Sequence, residues 1–460
     1  MSKNDNKLQH KLKNRHIQMI ALGGVIGTGL FFGSAKSIQS TGPSIILSYI
    51  LGGIVIYIIM RALGEMTVYK PSSGSFSDYA DSYVSKYAGF IVGWNAWFEY
   101  AVVCMVELTA VTFFLDYWMP WLPHWAICFG LLVIFTLIQL ISVKMFGEFE
   151  FWFAGIKIAA IIVMIGFGSY LIFFNPNIHA GTISNLQTYD NLNVFFASGA
   201  KGFFISLAIV IFSFGGTEFV SIAAGEAENP QKSIPQAISS VIFRIILFYI
   251  LTILVIICLY PFNKLNANTS PFVDVFKQIG IDRAADVMNV VAITAALSAF
   301  NSCLYASSRM LFSLAKQNSA PKFLSRTNSN NIPSNALIAT STCILISVII
   351  NYLYPKQAIM YLLTVATCAI LITWIFILIT QIYFRNKVDI DKITYRLILY
   401  PFSNIFAMVF LTLVMVIMLW IDDMRFSVLI TPIWLFTLSI IYLITKNFKK
   451  KAQRNGKKKK

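Results

Sequence analysis

Long apolar runs recur along the whole chain and constrain its fold more than any other feature of the sequence. Many of these runs reach the ~20 residues that an α-helix needs to cross a bilayer. Hydrophobic residues make up 57% of the 460 residues and charged residues only 12%, about half of the charged fraction that is typical of soluble domains. The sequence therefore predicts an all-α polytopic membrane protein.

About twelve membrane spans can be placed, and we number them spans one to twelve in chain order. Their predicted limits are 16–37, 43–68, 89–118, 122–142, 149–174, 198–225, 236–260, 285–315, 335–354, 358–384, 402–421 and 426–445. A basic lead at residues 1–15 and a basic tail at residues 446–460 flank the spans. An even number of spans leaves both termini on one side, and the positive-inside rule places that side in the cytoplasm.

The remaining composition argues against several classes of protein. The formal net charge is +16, but Lys and Arg concentrate at the termini and in alternate loops, which indicates membrane topology rather than nucleic acid binding. The six cysteines form no CxxC pair and the four histidines form no cluster, so we predict neither disulfides nor a metal site. Because the sequence contains no HExxH, GxSxG or P-loop motif, we predict that the chain is not an enzyme and needs no cofactor.

Two spans carry glycines that should interrupt their helices. Span one contains GGVIGTGLFFG from Gly23 to Gly33, and span six contains FSFGGTEF from Phe212. An interior glycine costs a helix about 1 kcal/mol relative to alanine, and unwound backbone persists in a bilayer only beside protein or a water-filled cavity. The breaks lie five spans apart, so the two spans cross in opposite directions, which is typical of transporters with inverted repeats.

This spacing predicts how the chain is organised. Residues 16–384 are expected to form a transport core of two inverted five-helix repeats, 16–174 and 198–384, each beginning with a broken span. The last two spans, at residues 402–445, lie outside this five-plus-five core.

The breaks also predict a binding site for an α-amino acid. The helix that starts after Gly29 exposes N–H groups and the positive end of a dipole, which suit a carboxylate. Helical segments that end near Gly24 and Ser213 expose carbonyl groups, which suit an ammonium group. The alternative is that the glycines only allow close helix packing, as small residues do in many membrane helices.

Four ionisable side chains inside the spans are functional candidates, because each costs at least ~2.5–3.5 kcal/mol at the bilayer centre. Glu99 and Glu107 lie in span three, Lys157 in span five, and Glu218 after the second break. Lys157 can load and release a proton because burial penalises its charged form; a structural ion pair or snorkelling is the alternative. Glu218 is a candidate for gating, amine binding or proton transfer, with structural pairing as the alternative. Glu99 and Glu107 are candidates for substrate or proton contact, with buried structural hydrogen bonding as the alternative.

Two further groups of residues are weaker candidates. Ser298, Asn301 and Ser302 form a polar run in span eight that is expected to face the lysine or the first break, although such residues often form ordinary interhelical hydrogen bonds. Phe212 and Phe214 are candidates to cover an apolar substrate side chain, with core packing as the alternative.

Seven stretches, in this order along the chain, resemble bacterial amino acid permeases of the amino acid–polyamine–organocation superfamily and its amino acid transporter subfamily. They are RHIQMIALGGVIGTGLF, GPSIILSYILGGI, IMRALGEM, SGSFSDYA, SVKMFGEFEFWFAGIKI, FSFGGTEFVSIAAGEAENPQKSIPQAI and NSCLYASSRML. The resemblance implies a twelve-span protein of the bacterial cell membrane that imports amino acids together with protons.

The resemblance also implies roles for particular residues. Gly27, Thr28 and Gly29 would hold the substrate carboxylate. Lys157 would match the lysine that takes the place of a sodium ion in related proton-coupled carriers. The other half of the site would be formed by Phe212, Ser213, Phe214, Gly215, Gly216 and Glu218.

The identity of the substrate is less closely defined. WNAWFEYAVVCMVELTAV and WMPWLPHW are most similar to the proline-specific branch, which also has an acid at the position of Glu99, and histidine permeases are similar to that branch. We therefore expect a neutral amino acid such as proline, or histidine, with Glu99 and Glu107 setting specificity. Other members take aromatic amino acids, asparagine, alanine or D-amino acids, and a charged substrate such as lysine ranks lower. An amino acid exchanger without obligatory proton coupling is a second alternative. Membrane lipid is the other expected partner, and the oligomeric state is left open.

Overall fold

The structure is a computed structural model that describes residues 13–23, 26–72, 74–174, 195–266, 269–278 and 280–458. Most of the predicted basic lead, the predicted end of a half-helix at Gly24 and the last two residues of the predicted tail lie outside the described residues. Throughout the described ranges the regular structure is helical.

Ten of the predicted spans are continuous helical segments. They are Ile45–Tyr69, Lys86–Leu115, His124–Ile141, Val143–Phe174, Pro230–Leu259, Asp282–Lys316, Ser334–Leu353, Ala358–Lys387, Phe402–Leu419 and Asp422–Lys458. Within the described residues, each includes a stretch long and apolar enough to cross a membrane. Together with the two broken spans they confirm the predicted all-α fold of about twelve spans.

Spans one and six are broken where the glycines predict. Span one consists of the helix Asn14–Gly23, the π-helical turn Gly29–Gly33 and the helix Ser34–Thr41. Span six consists of the helix Gly199–Ser213 and the short helix Phe219–Ala223, with turns between them. The shorter helical elements are Gly42–Ser44, Ser75–Tyr79, Ala80–Val84, Ala224–Glu226, Phe262–Lys264, Pro271–Gln278, Lys322–Ser325 and Ile390–Lys392.

Three spans extend at least six residues beyond their predicted limits. Span seven begins at Pro230 rather than at residue 236. Span five begins at Val143 rather than at residue 149, because the preceding stretch is helical and places Phe146 and Glu150 in the interior. Span twelve continues through most of the predicted tail to Lys458, where Lys, Ala, Gln and Arg are good helix formers. The division of the core into repeats 16–174 and 198–384 stays a prediction.

Span three lies at the centre of the fold. It packs most extensively against span eight and next against span ten, and most of its residues from Ala88 to Phe114 are buried. The first half of span one packs against span five, and its second half packs against the first half of span six. The two breaks therefore meet beside spans three and eight.

Large apolar side chains cover the periphery of the bundle. Trp152, Phe173, Val409 and Phe436 are each more than half exposed, and an apolar surface this extensive suits lipid rather than water. On one side of the bundle the Arg15 guanidinium at the start of span one donates to a Glu148 oxygen near the start of span five, at 2.8 Å. We call this side the inner side; the sequence predicts that it is cytoplasmic.

Candidate substrate site and its buried charges

The break in span one is capped by a carboxylate from span three. The N–H group of Thr28 donates to both oxygens of Glu107 at 3.2 Å, and the Thr28 hydroxyl donates to the same carboxylate. The N–H groups of Leu30 and Phe31 donate to the carbonyl of Gly27 at 3.2 and 3.3 Å. The sequence led us to expect free N–H groups at this break, but buried N–H groups need acceptors, and these three have them within the protein.

Two glycines allow the breaks to approach other segments closely. A Cβ atom on Gly29 would lie 2.6 Å from the Cα atom of Ser213, and one on Gly27 would lie 2.7 Å from Oε1 of Glu107 and 2.9 Å from Cβ of Ala299. No side chain fits at such distances. The close packing that we considered as an alternative is therefore present, and it leaves the backbone of both breaks accessible to any ligand that separates them.

The break in span six is held by Tyr249 of span seven and by its own Glu218. The Tyr249 hydroxyl donates to the carbonyl of Ser213 at 2.8 Å, so the carbonyl group that we expected to be free for an ammonium group has a donor. Gly216 has a φ of +93°, which favours glycine, and its N–H group donates to Oε1 of Glu218 at 3.2 Å. The helix then resumes at Phe219.

A small cavity lies where the two breaks meet. Its volume of about 20 Å³ is close to the ~10–15 Å³ that one water molecule needs. An amino acid is much larger, so binding requires the two broken helices to move apart. The cavity is lined by Gly27, Gly29, Val103, Glu107, Phe212, Ser213, Gly215, Ala299, Cys303 and Ile370.

Most of the predicted binding residues border this cavity, but some do not. Thr28, Phe214 and Gly216 are not among the lining residues. The ring of Phe214 instead packs against Tyr49 and Tyr249, with centroids 6.0 and 5.1 Å apart. Its predicted role in covering a substrate side chain does not fit this position, because the ring is enclosed between spans two and seven.

Lys157 is fully buried and joins three spans. Its Nζ atom donates to the carbonyl of Ile26 in the first break at 3.1 Å and to the hydroxyl of Ser298 in span eight at 2.9 Å. The lysine therefore faces both the first break and the polar run, as expected, and its burial excludes snorkelling. In that run, Asn301 instead accepts a hydrogen bond from Gln139 of span four at 3.0 Å. The proton role of the lysine stays a prediction.

A further buried acid, which we did not single out from the sequence, lies beside this lysine. The Ser298 hydroxyl donates to Oε1 of Glu150 at 2.7 Å, and the Glu150 side chain is fully buried. Glu150 precedes Lys157 by seven residues, which is about two helical turns on the same face. That spacing is the signal in the sequence that could have identified it.

Glu99 and Glu218 form a second buried acidic group, behind the break in span six. Thr373 donates to Oε2 of Glu99 at 2.5 Å, and the Trp374 indole donates to Glu218 at 3.4 Å. The two buried carboxyl groups lie beside each other, and two negative charges so close together in a dry interior disfavour each other. Neither residue lines the cavity, so any effect of Glu99 on specificity must reach the cavity through Glu218 and the Gly215–Gly216 backbone.

Comparison with known proteins decides what kind of membrane protein carries this site. The sequence profile described as amino acid permease matches residues 16–455. This chain belongs to the amino acid permease family. The aromatic amino acid transport protein AroP of Escherichia coli (strain K12) is 44% identical over 450 residues, which are 97% of each chain. AroP of Salmonella typhi is 44% identical over 439 residues, or 95% of each chain. The uncharacterized amino acid permease YtnA of Bacillus subtilis (strain 168) is 40% identical over 454 residues, or 98% of each chain.

The family assignment confirms the bacterial amino acid permease that the motifs indicated. Its multi-pass membrane architecture agrees with the spans of the described chain. The relatives are transporters, in line with the expectation that this permease is not an enzyme.

Two ion pairs at the inner side of the permease were also not predicted. Nε of Arg309 lies 3.0 Å from Oε1 of Glu226, and both side chains are almost completely buried. A second pair joins Arg385 of span ten to Glu65 of span two. Both ion pairs join residues that are far apart in the chain, so no local pattern in the sequence predicts them.

A partly buried acid also lies in the connection between spans two and three. Asp78 accepts hydrogen bonds from Ser72, Ser313 and Gln317. Burial raises the pKa of the Asp78 carboxyl above its ordinary value, and these hydrogen bonds oppose the rise. Together with the Arg309–Glu226 pair, this cluster ties the inner end of span eight to its neighbours.

Proposed function

We propose that this permease imports an α-amino acid with an aromatic side chain by proton symport, and that the substrate binds between the two breaks. The observation that carries the proposal is the contact of Gly29 with Ser213, one turn from the carbonyl of Ile26 that Lys157 binds. Backbone donors and acceptors of two half-helices lie together there. They suit the carboxylate and ammonium groups that every α-amino acid carries.

The walls of the cavity support a neutral substrate. Val103, Ala299, Cys303 and Ile370 present small or apolar surface, and Phe212 adds a ring. Aromatic side chains gain the most binding free energy from such walls, because each of them buries about 150–250 Å² of surface. AroP, the relative at 44% identity, is named for aromatic amino acid transport, which supports the same class here.

Substrate binding would replace contacts that the permease makes with itself. Glu107 holds the N–H group of Thr28, and Tyr249 holds the carbonyl of Ser213. A second carboxylate at Thr28 would be repelled by Glu107, because like charges at that distance disfavour each other. Glu107 must therefore move away or take up a proton as the substrate carboxylate arrives.

Lys157 supplies the coupling in this proposal. As an ammonium it holds span five against the first break and span eight through Ile26 and Ser298. Loss of the proton removes the charge from these contacts and lets the core helices rock toward the other side of the membrane. An ammonium group in an apolar span is costly, so the neutral form is accessible.

An uptake panel tests the substrate. Purified permease in proteoliposomes receives radiolabelled phenylalanine, tyrosine, tryptophan, proline, histidine and lysine under an inward pH gradient. We expect the three aromatic amino acids to accumulate most. Higher uptake of proline or histidine would overturn the aromatic assignment, and uptake that needs internal amino acid but no pH gradient would favour an exchanger.

The Glu107→Gln variant should bind substrate more tightly than the parent above neutral pH. The amide can still accept from Thr28, but it carries no charge to repel the substrate carboxylate. We expect the apparent affinity at pH 8 to rise by about three- to tenfold, equivalent to roughly 0.7–1.4 kcal/mol. Equilibrium binding of radiolabelled substrate at pH 6 and pH 8 measures this, and equal or weaker binding at pH 8 would contradict the competition between the two carboxylates.

The Glu99→Gln variant should change which amino acid is preferred more than it changes the need for protons. Glutamine can accept from Thr373 as the carboxylate does, so this buried contact is kept while the ionisable group beside Glu218 is removed. Competition by the unlabelled panel measures the ranking, with the exposed Glu228→Gln as the matched control. An unchanged ranking with poor expression would favour a purely structural Glu99.

A further inference from the structure

We propose that Glu150 accepts the proton of Lys157 and that the proton passes between them through the hydroxyl of Ser298. The inference rests on the proposed proton role of Lys157 and adds the route by which the proton leaves that lysine toward the inner side. Glu150 acts through Lys157, so it is a proton-relay residue and not a substrate contact.

The hydrogen bonds already run in the direction that a relay needs. Nζ of Lys157 donates to Oγ of Ser298 at 2.9 Å, and Ser298 donates its own proton to Oε1 of Glu150 at 2.7 Å. The second oxygen of Glu150, Oε2, is buried and has no hydrogen-bond partner in the described part of the chain. An isolated carboxylate oxygen in a dry interior is expensive, and protonation of the carboxyl group relieves that cost.

The transfer balances without any further reactant. Ser298 passes its hydroxyl proton to Oε1 of Glu150 as it takes one from the Lys157 ammonium. The ammonium and carboxylate become an amine and a carboxylic acid, and the serine ends as it began. Both charges disappear, which favours separation of the spans that they hold together.

Glu150 is placed to pass the proton on. It lies about 10 Å closer to the inner end of span five than Lys157, at 1.5 Å per residue. Solvent reaches the span within one helical turn of Glu150, because the side chain two residues further toward that end is about one-third exposed. The relay therefore leads from the centre of the bundle to the inner surface.

The charged surroundings of Glu150 leave Lys157 as its proton donor. Lys157 lies on the same span, and the hydroxyl group of Ser298 reaches the carboxylate from span eight. The other described charged or titratable groups on the spans that pack against this stretch have partners of their own. Arg15 pairs with Glu148, and Arg309 pairs with Glu226. Tyr305 stacks on the ring of Phe146, and Glu107 accepts from Thr28. Among the described side chains of spans four and seven, none forms a hydrogen bond or an ion pair with Glu150.

The test separates proton-driven uptake from exchange. Full-length parent, Lys157→Ala, Glu150→Gln, Glu150→Asp, Ser298→Ala and the matched control Glu148→Gln are compared in proteoliposomes. One measurement is accumulation of radiolabelled phenylalanine under an inward pH gradient. The other is counterflow of the same amino acid at equal pH on both sides, which needs a folded site but no net proton movement.

We expect Glu150→Gln and Ser298→Ala to lose driven accumulation by about a hundredfold, the lower end of the range for loss of a proton-transfer group, while counterflow stays within about twofold of the parent. Glu150→Asp should restore part of the driven uptake, and Glu148→Gln should behave like the parent. Parent-like accumulation in Glu150→Gln together with its loss in Lys157→Ala would overturn the relay and leave the proposed symport standing. Equal loss of accumulation and counterflow in both relay variants would also overturn it, as a purely structural effect. A parent that ignores the pH gradient would refute the symport, and the relay with it.

Discussion

The Gly29→Leu variant should lose almost all substrate binding and uptake while it still inserts into the membrane. A Cβ atom at this position already lies 2.6 Å from the backbone of Ser213, and a backbone atom cannot rotate away as a flexible side chain can. Overpacking of this kind costs about 1–3 kcal/mol, equivalent to roughly 5–150-fold in an equilibrium. The leucine would also fill the space that a substrate carboxylate must enter, so we expect a loss at the upper end of that range.

The chain offers a matched control for this substitution. Gly130 lies in span four with no atom of another segment within 4 Å of the space that a Cβ would take, so Gly130→Leu should leave uptake unchanged. Radiolabelled substrate binding to purified protein, with size-exclusion profiles to check folding, compares the two variants. Normal substrate affinity in Gly29→Leu would contradict a substrate site at the point where the two breaks meet.

The Lys157→Ala variant should lose the pH dependence of transport. Alanine cannot carry the proton or bind the carbonyl of Ile26 and the hydroxyl of Ser298. Accumulation under an inward pH gradient should fall by about a hundredfold or more, as expected for loss of a proton-transfer group. Exchange of bound substrate should survive in part, because the groups predicted to bind the carboxylate are on other residues.

Two further variants sharpen this prediction. Lys157→Arg keeps the charge but cannot release the proton, so it should hold the permease in one state and block both accumulation and exchange. Lys316→Ala removes an exposed lysine at the inner end of span eight and serves as the control. We would abandon the proton role of Lys157 if its alanine variant still concentrated substrate in response to a pH gradient as the parent does.

The helical framework could be predicted from the sequence because its signals are local. Apolar runs of sufficient length define the spans, and the glycines of GGVIGTG and FSFGGTE mark the breaks without knowledge of any neighbour. The same reasoning identified Lys157 and its polar partner Ser298, since an ionisable residue in an apolar span needs a polar neighbour.

The partners of the backbone groups at the breaks could not be predicted in this way. Glu107 at the N–H group of Thr28 and Tyr249 at the carbonyl of Ser213 come from other spans, and their reach depends on how the helices pack. The enclosed position of Phe214 is likewise a result of packing against Tyr49. In each case a residue chosen for the substrate is engaged by the protein itself in this compact arrangement.

Glu150 was overlooked for a different reason. It lies near the end of an apolar run in an acidic stretch, where a charged residue is usually solvated. The structure extends span five past this stretch and buries the residue. The two-turn spacing between Glu150 and Lys157 indicates that both lie on one face of a helix. That inference holds only if the helix begins well before Glu150, as it does in the structure.

Proton movement that accompanies substrate movement tests the central claim most directly. A pH-sensitive dye outside weakly buffered proteoliposomes reports protons that enter with phenylalanine when no pH gradient is imposed. We predict that adding phenylalanine makes the outside more alkaline with the parent and that Lys157→Ala abolishes the signal. Uptake of phenylalanine by the parent with no change in external pH would contradict proton-coupled import.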